Sequence, residues 1–287
     1  MLLSHGYHTV IIMSFEIQAH RGGRSLFPEN TLQAFSYAAT LGIRVLELDI
    51  LVSKDHQVVV SHDPWLSAPL CSDTYGRPLD IEERGCSLLY EMNYADIASI
   101  DCGLPHPSFP GQVRVVAFKP LLSTVFREVE AFMASTAMKG KMIYNLEIKS
   151  WPDKDALFHP PPDYYAELVF RVVEDAGLLP FVRIQSFDSR VVREAWRLNP
   201  GLCYGLLIEE TKHVDGIFRE LGFVPRYLNP HFSLADRTMV ETFHAEGIRI
   251  IPWTVNRTEE MLAMQHIGAE GIITDYPERA IALFGLP

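Results

Sequence analysis

Short apolar runs alternate with longer segments of helical period along most of the chain. The runs are rich in β-branched and aromatic residues and predict eight strands, at residues 15–20, 44–50, 142–148, 182–187, 203–208, 226–230, 248–255 and 271–275. The segment NTLQAFSYAATLG carries its apolar residues on one helical face, and further helices are predicted at 164–176, 189–198, 234–246 and 258–266. Eight alternating pairs favour an α/β protein of the (β/α)8 TIM-barrel class over an open doubly wound sheet.

One interval breaks this alternation. Residues 64–119 show no clear helical period and mix proline, glycine, cysteine and aromatic residues, as in SAPLCSDTYGRPL. The interval is too long for an ordinary loop, so it predicts a small subdomain inserted after the second strand. We therefore expect residues 1–287 to form a single barrel domain with an inserted subdomain at 64–119, near the face where barrel active sites lie.

Composition limits the partners of the chain. It has 287 residues, 48% hydrophobic and 21% charged, with a formal net charge of −11. Nucleic acids and anionic membrane surfaces are bound through clustered lysine and arginine, so we expect no nucleic-acid partner. The N-terminal stretch lacks a basic start, a sustained apolar run and a cleavage site, and no run of about 18 apolar residues follows. We therefore expect no signal peptide, no membrane insertion and a cytoplasmic protein.

The four cysteines give a weaker indication. Cys71, Cys86, Cys102 and Cys203 show neither a CxxC pair nor the spacing of metal ligands. Free thiols in a reducing compartment are the favoured interpretation, and a bridge among the first three remains open.

Acidic residues interrupt two of the predicted strands. Glu47 and Asp49 lie in RVLELDI, and Glu147 lies in NLEIK. An unpaired carboxylate among buried apolar residues is costly, so these acids need a partner. Strand side chains alternate between faces, so Glu47 and Asp49 point the same way, about 6–7 Å apart. Three oxygen ligands suit Mg²⁺ or Ca²⁺, and we expect a divalent metal ion here.

Histidines and cations occur near the ends of the same strands. His20 and Arg21 follow the first strand in AHRGG, His62 follows the run VVVS, and Lys149 shares a face with Glu147. The active sites of barrels assemble at these C-terminal strand ends. Two histidines can divide proton acceptance and donation, and the cations can face an anion. Together with a divalent ion, this set of residues suits phosphoryl transfer.

Several longer motifs carry a family resemblance. AHRGG…PENTLQAF, LELDILVSKDHQVVVSHD, LEIK, QSFD, PWTVN and GIITDYP occur in order from residue 19 to 277. Together they resemble the glycerophosphodiester phosphodiesterases of the phospholipase C-like phosphodiesterase superfamily, and the interval 64–119 resembles the insertion of that family. The resemblance implies a phosphoric diester hydrolase of glycerol and lipid metabolism. Its small-molecule substrates would be glycerophosphodiesters, and its products sn-glycerol 3-phosphate and an alcohol.

The resemblance also implies roles for individual residues. The divalent-metal ligands would be Glu47, Asp49 and Glu147. His20 and His62 would be the general acid and base, in an order that these residues do not reveal. Arg21 and Lys149 would bind the phosphate. Trp253, at the end of the seventh strand, lines the substrate pocket or belongs to the core.

Other interpretations of these residues remain open. Lys149 can form a simple ion pair with Glu147, and Glu29 can steady the loop beside Arg21. A related enzyme could act as a lysophospholipase D or on another lipid headgroup, which exposed apolar residues of the insertion such as Trp65, Leu104 and Phe109 would favour. A barrel that binds phosphodiesters without catalysis is the alternative from a different class.

Overall fold

A computed structural model of the protein describes residues 15–73, 76–77, 79, 87–136, 140–210 and 214–286, with side chains omitted at 214–217. Within these ranges nine strands form one sheet, and every predicted strand is confirmed. The strands are β1 (Glu16–Ala19), β2 (Val45–Val52), β3 (Val58–Val60), β4 (Ile143–Ile148), β5 (Val182–Ser186), β6 (Cys203–Ile208), β7 (Tyr227–Pro230), β8 (Arg249–Ile250) and β9 (Gly271–Thr274). Only β3 was not among the predicted strands; it pairs antiparallel with β2.

The parallel strands follow one another around a nearly closed barrel. Their order is β8-β7-β6-β5-β4-β2-β1-β9. Backbone hydrogen bonds link the segment after β8 to β9, from Val255 N to Ile273 O (2.9 Å) and from Ile273 N to Pro252 O (2.9 Å). The predicted (β/α)8 barrel is therefore confirmed.

Helices surround the barrel between successive strands. They are α1 (Leu32–Thr40), α2 (Tyr94–Ile97), α3 (Leu122–Ser135), α4 (Pro162–Asp175), α5 (Ser189–Leu198), α6 (Val214–Leu221), α7 (Arg237–Ala245), α8 (Thr258–Ile267) and α9 (Pro277–Phe284). The five predicted helices correspond to α1, α4, α5, α7 and α8. The sequence prediction missed α2, α3, α6 and α9, although α3 buries an apolar stripe that includes Val125, Phe126 and Val129. No helix within the described ranges has both the length and the apolar character needed to cross a membrane.

A small second core lies beneath the described part of residues 64–119. It joins Leu51 and Val59 of the β2–β3 hairpin to Leu89 and Ile97 of the inserted interval, whereas the main core lies between barrel and helices. Cys71 and Cys102 form a disulfide within this second core. The free-thiol interpretation is thus wrong for these two residues. An isolated antiparallel bridge between Ser72 and Asp101, the residues next to the two cysteines in the sequence, brings the cysteines together. Cys203 is free, and Cys86 lies outside the described residues.

Strand register decides which side chains meet at the C-terminal end of the barrel. In the β2–β4 pair, Asp49 lies beside Glu147. Ala19 of β1 lies beside Leu46 of β2 on one side and Thr274 of β9 on the other. The residues that follow these positions, His20, Glu47 and Asp275, are therefore neighbours. The register brings together side chains that are far apart in the sequence.

Candidate active site

Three buried carboxylates form the centre of the site. Glu47, Asp49 and Glu147 each offer an oxygen atom, and these atoms lie within 4.8 Å of one another. Burial, with the charges of Asp49 and Glu147, raises the pKa of Glu47 well above its usual range. Burial and Asp49 also raise the pKa of Glu147, although Lys149 opposes this shift. The three groups repel one another, so the cluster is short of positive charge.

This cluster fits a divalent cation. Asp49 is fully buried, yet its Oδ1 accepts no hydrogen bond from any described residue. A buried oxygen without a partner is costly, and three hard oxygen donors are the set that Mg²⁺ or Ca²⁺ prefers. Despite its burial, the charges of Arg21, His62 and Lys149 hold the pKa of Asp49 well below its usual range, so this ligand is ionised and ready to coordinate. The residues present could therefore hold such an ion.

A strained turn after β1 delivers His20 and Arg21. Arg21, Gly22 and Gly23 have φ angles of 51°, 86° and 79°, in the left-handed region. A Cβ at Gly22 would lie 2.9 Å from the Cβ of Ala34, and one at Gly23 would lie 2.7 Å from the Cγ of Pro277. At each of these two positions, glycine is the only residue that fits. The turn directs the Arg21 N–H to Glu47 Oε2 at 3.0 Å.

An aspartate from the far end of the chain orients His20. The Nδ1 of His20 lies 2.6 Å from Asp275 Oδ1, and its Nε2 lies 4.0 Å from Glu47 Oε2. The charges of His20 and Arg24 hold the pKa of Asp275 far below its usual range despite its burial. Because an ionised aspartate only accepts hydrogen bonds, Nδ1 of His20 carries the proton and donates it. Nε2 is then the atom that can accept a proton from a substrate.

His62 has the same kind of partner in a different setting. Its Nδ1 lies 2.7 Å from Asp63 Oδ1, and both side chains are 32% exposed. The hydrogen bond from His62 lowers the pKa of Asp63. Next to this pair, the Nζ of Lys119 donates to Ser61 Oγ at 2.7 Å, and burial lowers the pKa of Lys119. The sequence offered no signal for Lys119, which comes from the end of the inserted interval.

The predicted cations are held by carboxylates. Arg21 donates to Glu29 Oε2 at 2.9 Å, and its Nε lies 3.3 Å from Asp49 Oδ2. Arg24, which the sequence interpretation missed, bridges Glu29 and Asp275. These two arginines lower the pKa of Glu29 to about 2 despite its burial. Glu29 therefore steadies the loop beside Arg21, as the sequence suggested.

Lys149 lies between the acidic cluster and an aromatic wall. Its Nζ lies 2.7 Å from Glu147 Oε1 and 3.7 Å from Asp49 Oδ1, so the predicted ion pair is present. The same Nζ lies 6.0 Å from the centre of the Phe187 ring. Phe187 in turn contacts Trp253 edge to face. An approaching anion would thus meet a cation with an aromatic surface behind it.

All but one of the predicted site residues line a single cavity. It measures about 630 Å³ and is lined by His20, Arg21, Glu47, His62, Glu147, Lys149 and Trp253, among others. Asp49, the remaining predicted residue, has a carboxylate oxygen within 4.8 Å of oxygens of Glu47 and Glu147, which do line it. A second cavity, of about 580 Å³ between α3 and α4, contains none of these residues. The geometry therefore assembles in one place the groups that the sequence selected.

The inserted interval contacts the loop that carries Arg24. Gln112 Nε2 donates to Arg24 O and Phe27 O, at 2.5 and 3.2 Å. The ring of Phe109 lies under the Arg24 guanidinium, 4.8 Å from its carbon to the ring centre. Through Arg24, which contacts Asp275, the interval reaches the partner of His20.

Known proteins share both the sequence pattern and the fold. The model of the glycerophosphoryl diester phosphodiesterase family matches residues 20–279. A glycerophosphodiester phosphodiesterase of Caldanaerobacter subterraneus is 29% identical over 92% of this chain and 96% of its own length. The human protein named lysophospholipase D GDPD1 is 26% identical over 91% of this chain and 83% of its own length.

Solved structures give the same picture. A putative glycerophosphoryl diester phosphodiesterase of Silicibacter pomeroyi superposes with a TM-score of 0.84 at 25% identity, covering 95% of this chain and 94% of the other. An Oleispira antarctica phosphodiesterase, in complex with the product sn-glycerol-3-phosphate, has the same fold, with a TM-score of 0.74 at 22% identity and coverages of 93% and 95%. The chain therefore belongs to the glycerophosphoryl diester phosphodiesterase family, and it is a phosphodiesterase.

Proposed function

We propose that the chain hydrolyses glycerophosphodiesters to sn-glycerol 3-phosphate and an alcohol, with a divalent ion held by Glu47, Asp49 and Glu147. One observation carries the proposal: the carboxylate cluster shares a cavity with two histidines that are each oriented by an aspartate. The similarity to the Caldanaerobacter glycerophosphodiester phosphodiesterase supports the same substrate class.

The residues of the cavity can divide the chemistry between them. A divalent ion at the carboxylates supplies positive charge that offsets the negative charge of the phosphate oxygens. Arg21 and Lys149 bind those oxygens, and one histidine takes the proton of the glycerol 2-hydroxyl at Nε2 while that oxygen attacks phosphorus. The other histidine gives a proton to the departing alcohol. Water then opens the cyclic phosphate, with the two histidines in reversed roles.

Removing a ligand or the ion tests this proposal. In an assay that couples glycerol 3-phosphate release to a second enzyme, EDTA should abolish turnover, and Mg²⁺ or Ca²⁺ should restore it. Glu47→Gln should lower kcat by at least about 10³, because the lost charge stabilises the transition state, and should weaken ion binding measured by calorimetry. Glu241→Gln, at an exposed position of α7, is the matched control. Unchanged turnover in Glu47→Gln, or turnover that resists EDTA, would refute the metal site.

Lysophospholipids are a second candidate substrate class. The resemblance to human lysophospholipase D GDPD1 favours them, and so does Trp65, which is 37% exposed in the inserted interval. Phe109 argues the other way, because it is buried against Arg24 and Tyr276. A panel of glycerophosphodiesters and lysophospholipids decides between the classes. Absence of hydrolysis throughout the panel, with metal supplied, would support a barrel that only binds phosphodiesters.

A further inference from the structure

Lys119 is the last residue of the inserted interval, and strand pairing places it opposite Ser61. Val59 forms an isolated antiparallel bridge with Leu121. Two residues further along one segment and two residues back along the other, Ser61 and Lys119 face each other across the same pair. The Lys119 Nζ donates to Ser61 Oγ at 2.7 Å. The ammonium therefore contacts the residue that directly precedes His62.

Ser61 passes this contact on to the turn that carries His62. Its side chain is buried, and its Oγ donates to Asp63 O at 2.9 Å. A hydroxyl has one proton, so Ser61 can accept from Lys119 and still donate to the Asp63 carbonyl. Hydrogen bonds that form a chain in this way strengthen one another. The residues on both sides of His62 are thus tied to the ammonium of Lys119.

The charge of Lys119 also acts on the partner of His62. Burial lowers the pKa of Lys119, and the charges of Glu29 and Asp63 oppose that shift. The pKa of Asp63 is lowered by the hydrogen bond from His62, and the charges of His62 and Lys119 lower it further. An ionised aspartate only accepts hydrogen bonds, so the proton in the His62–Asp63 contact belongs to Nδ1 of His62. Nε2 of His62 is then free for proton transfer.

Lys119 and the substrate cavity lie on different sides of His62. Lys119 does not line the cavity of about 630 Å³ that contains the carboxylate cluster. It lines a separate cavity of about 20 Å³ together with Glu29 and Asp63, which is too small for a phosphodiester. Among the residues that the structure describes, only His62 lines both cavities. The ammonium of Lys119 is therefore placed to act on His62 and not on the phosphate.

We propose that Lys119 is a positioning residue for His62: through Ser61 it fixes the turn at residues 61–63 and so holds the imidazole in the orientation and tautomer that proton transfer requires. This inference rests on the proposed function, in which His62 transfers a proton. It gives the inserted interval a part in catalysis that needs no contact with the substrate.

A purely structural role for Lys119 predicts a different result. Its side chain could simply join the inserted interval to the barrel. Removal of the ammonium would then lower the free energy of unfolding and leave the imidazole of His62 unchanged. The decisive observations are therefore the state of that ring and the dependence of the kinetic effect on His62.

Nitrogen NMR spectra of protein labelled with 15N-histidine report the ring directly, at about pH 8 where exposed imidazoles are neutral. In the wild type, His62 should show the two separate nitrogen shifts of the Nδ1–H tautomer, and His62→Ala assigns them. In Lys119→Met these shifts should move toward the averaged values of a tautomer mixture, whereas those of His20 should stay in place. Lys54→Met removes an exposed lysine of the loop between β2 and β3 and is the matched control; its spectrum should equal that of the wild type.

Kinetics on a glycerophosphodiester provide the second readout. Lys119→Met and Ser61→Ala should each lower kcat about 10- to 100-fold, because a misplaced imidazole or the wrong tautomer slows proton transfer, and should leave KM within about twofold. The double variant should lose no more than either single variant, since both break the same chain of hydrogen bonds. In a His62→Ala background, Lys119→Met should lower kcat by less than about twofold.

The possible outcomes are distinct. An unchanged His62 spectrum in Lys119→Met, or a full further loss of kcat in His62→Ala, overturns the positioning role and leaves the hydrolase assignment intact. If Lys119→Met does not fold, the spectrum of Ser61→Ala decides: altered His62 shifts support the role, and unaltered shifts refute it. If the wild type hydrolyses no glycerophosphodiester with metal supplied, the proposed function fails. The spectra alone then decide whether Lys119 orients His62.

Discussion

The two histidines of the cavity have the same kind of partner but different surroundings. His20 and Asp275 are separated by 255 residues in the sequence, and their side chains are only 9% and 2% exposed. His62 and Asp63 are adjacent, and each side chain is 32% exposed. The first pair therefore depends on the closed barrel, whereas the second is formed by local sequence at the edge of the cavity.

The buried and the exposed aspartate also differ in their other hydrogen-bond contacts. Asp275 also accepts hydrogen bonds from Arg24 and Asn256, at 2.8 Å each, so it joins His20 to a network in the barrel wall. Asp63 has no comparable set of contacts among the described residues. Charge interactions are stronger where water is excluded. Asp275 should therefore contribute to both stability and catalysis, and Asp63 mainly to the orientation of one ring.

Removal of either imidazole should have the largest effect and should be similar for both pairs. If both histidines transfer protons, His20→Ala and His62→Ala should each lower kcat by about 10² to 10⁴. His266→Ala, at an exposed position of α8, is the control and should retain wild-type turnover. Steady-state kinetics on a glycerophosphodiester measures the loss. A mild loss in one variant alone would assign that histidine a structural role.

Substitution of the aspartates should separate the pairs. Asp275→Asn should lower kcat about 10- to 100-fold, because the imidazole loses its oriented tautomer, and should lower the free energy of unfolding by roughly 3 kcal/mol, since a buried charged network is broken. Asp63→Asn should cost less than about 1 kcal/mol, because the pair is partly solvated. Urea unfolding and kinetics of both variants provide the comparison. Equal destabilisation would contradict the difference in burial.

The dependence of stability on acid pH should also separate a buried carboxylate, Glu29, from the partly exposed Asp63. The pKa of Glu29 falls from an ordinary value of 4.5 to about 2 in the folded protein. Its contribution is thus fully present above pH 4.5 and is lost as the pH falls toward 2, by at most about 3 kcal/mol. Glu29→Gln should flatten the dependence of the free energy of unfolding on pH in that window, whereas Asp63→Asn should leave most of it. A slope unchanged in Glu29→Gln would exclude this source.

The sequence predicted the residues of the site better than their partners. Glu47, Asp49 and Glu147 stand out because charge is unusual in a buried strand, and His62 precedes its own aspartate. Asp275 stands out only as a polar residue at a strand end, and its contacts with His20 and Arg24 cannot be seen in the sequence, because they depend on β1 lying beside β9. Register across a sheet is a property of tertiary structure. The sequence therefore identifies the ligands of a site more readily than the residues that orient them.

The barrel was also easier to predict than its insertion. Buried strands such as β2 and β4 are mainly apolar runs, and the few polar residues within them do not hide the strand pattern. α3 follows the irregular interval directly, and α6 and α9 have only 8 residues each, so their period was not recognised. The Cys71–Cys102 bridge joins positions 31 residues apart, and nothing in their spacing distinguishes this pairing from others. The cytoplasmic location stays a prediction.

The pairing of the first strand with the last has a consequence for synthesis. β1 needs β9 as its neighbour, and His20 needs Asp275, so a chain still being translated lacks an oriented His20 until residue 275 has left the ribosome. Contacts of such long sequence separation form late in folding. Fragments that end before β9 lack both the neighbour of β1 and the aspartate that orients His20, so we expect them to lose activity. Catalytic competence is in this way tied to completion of the barrel, and activity itself reports that the last strand is in place.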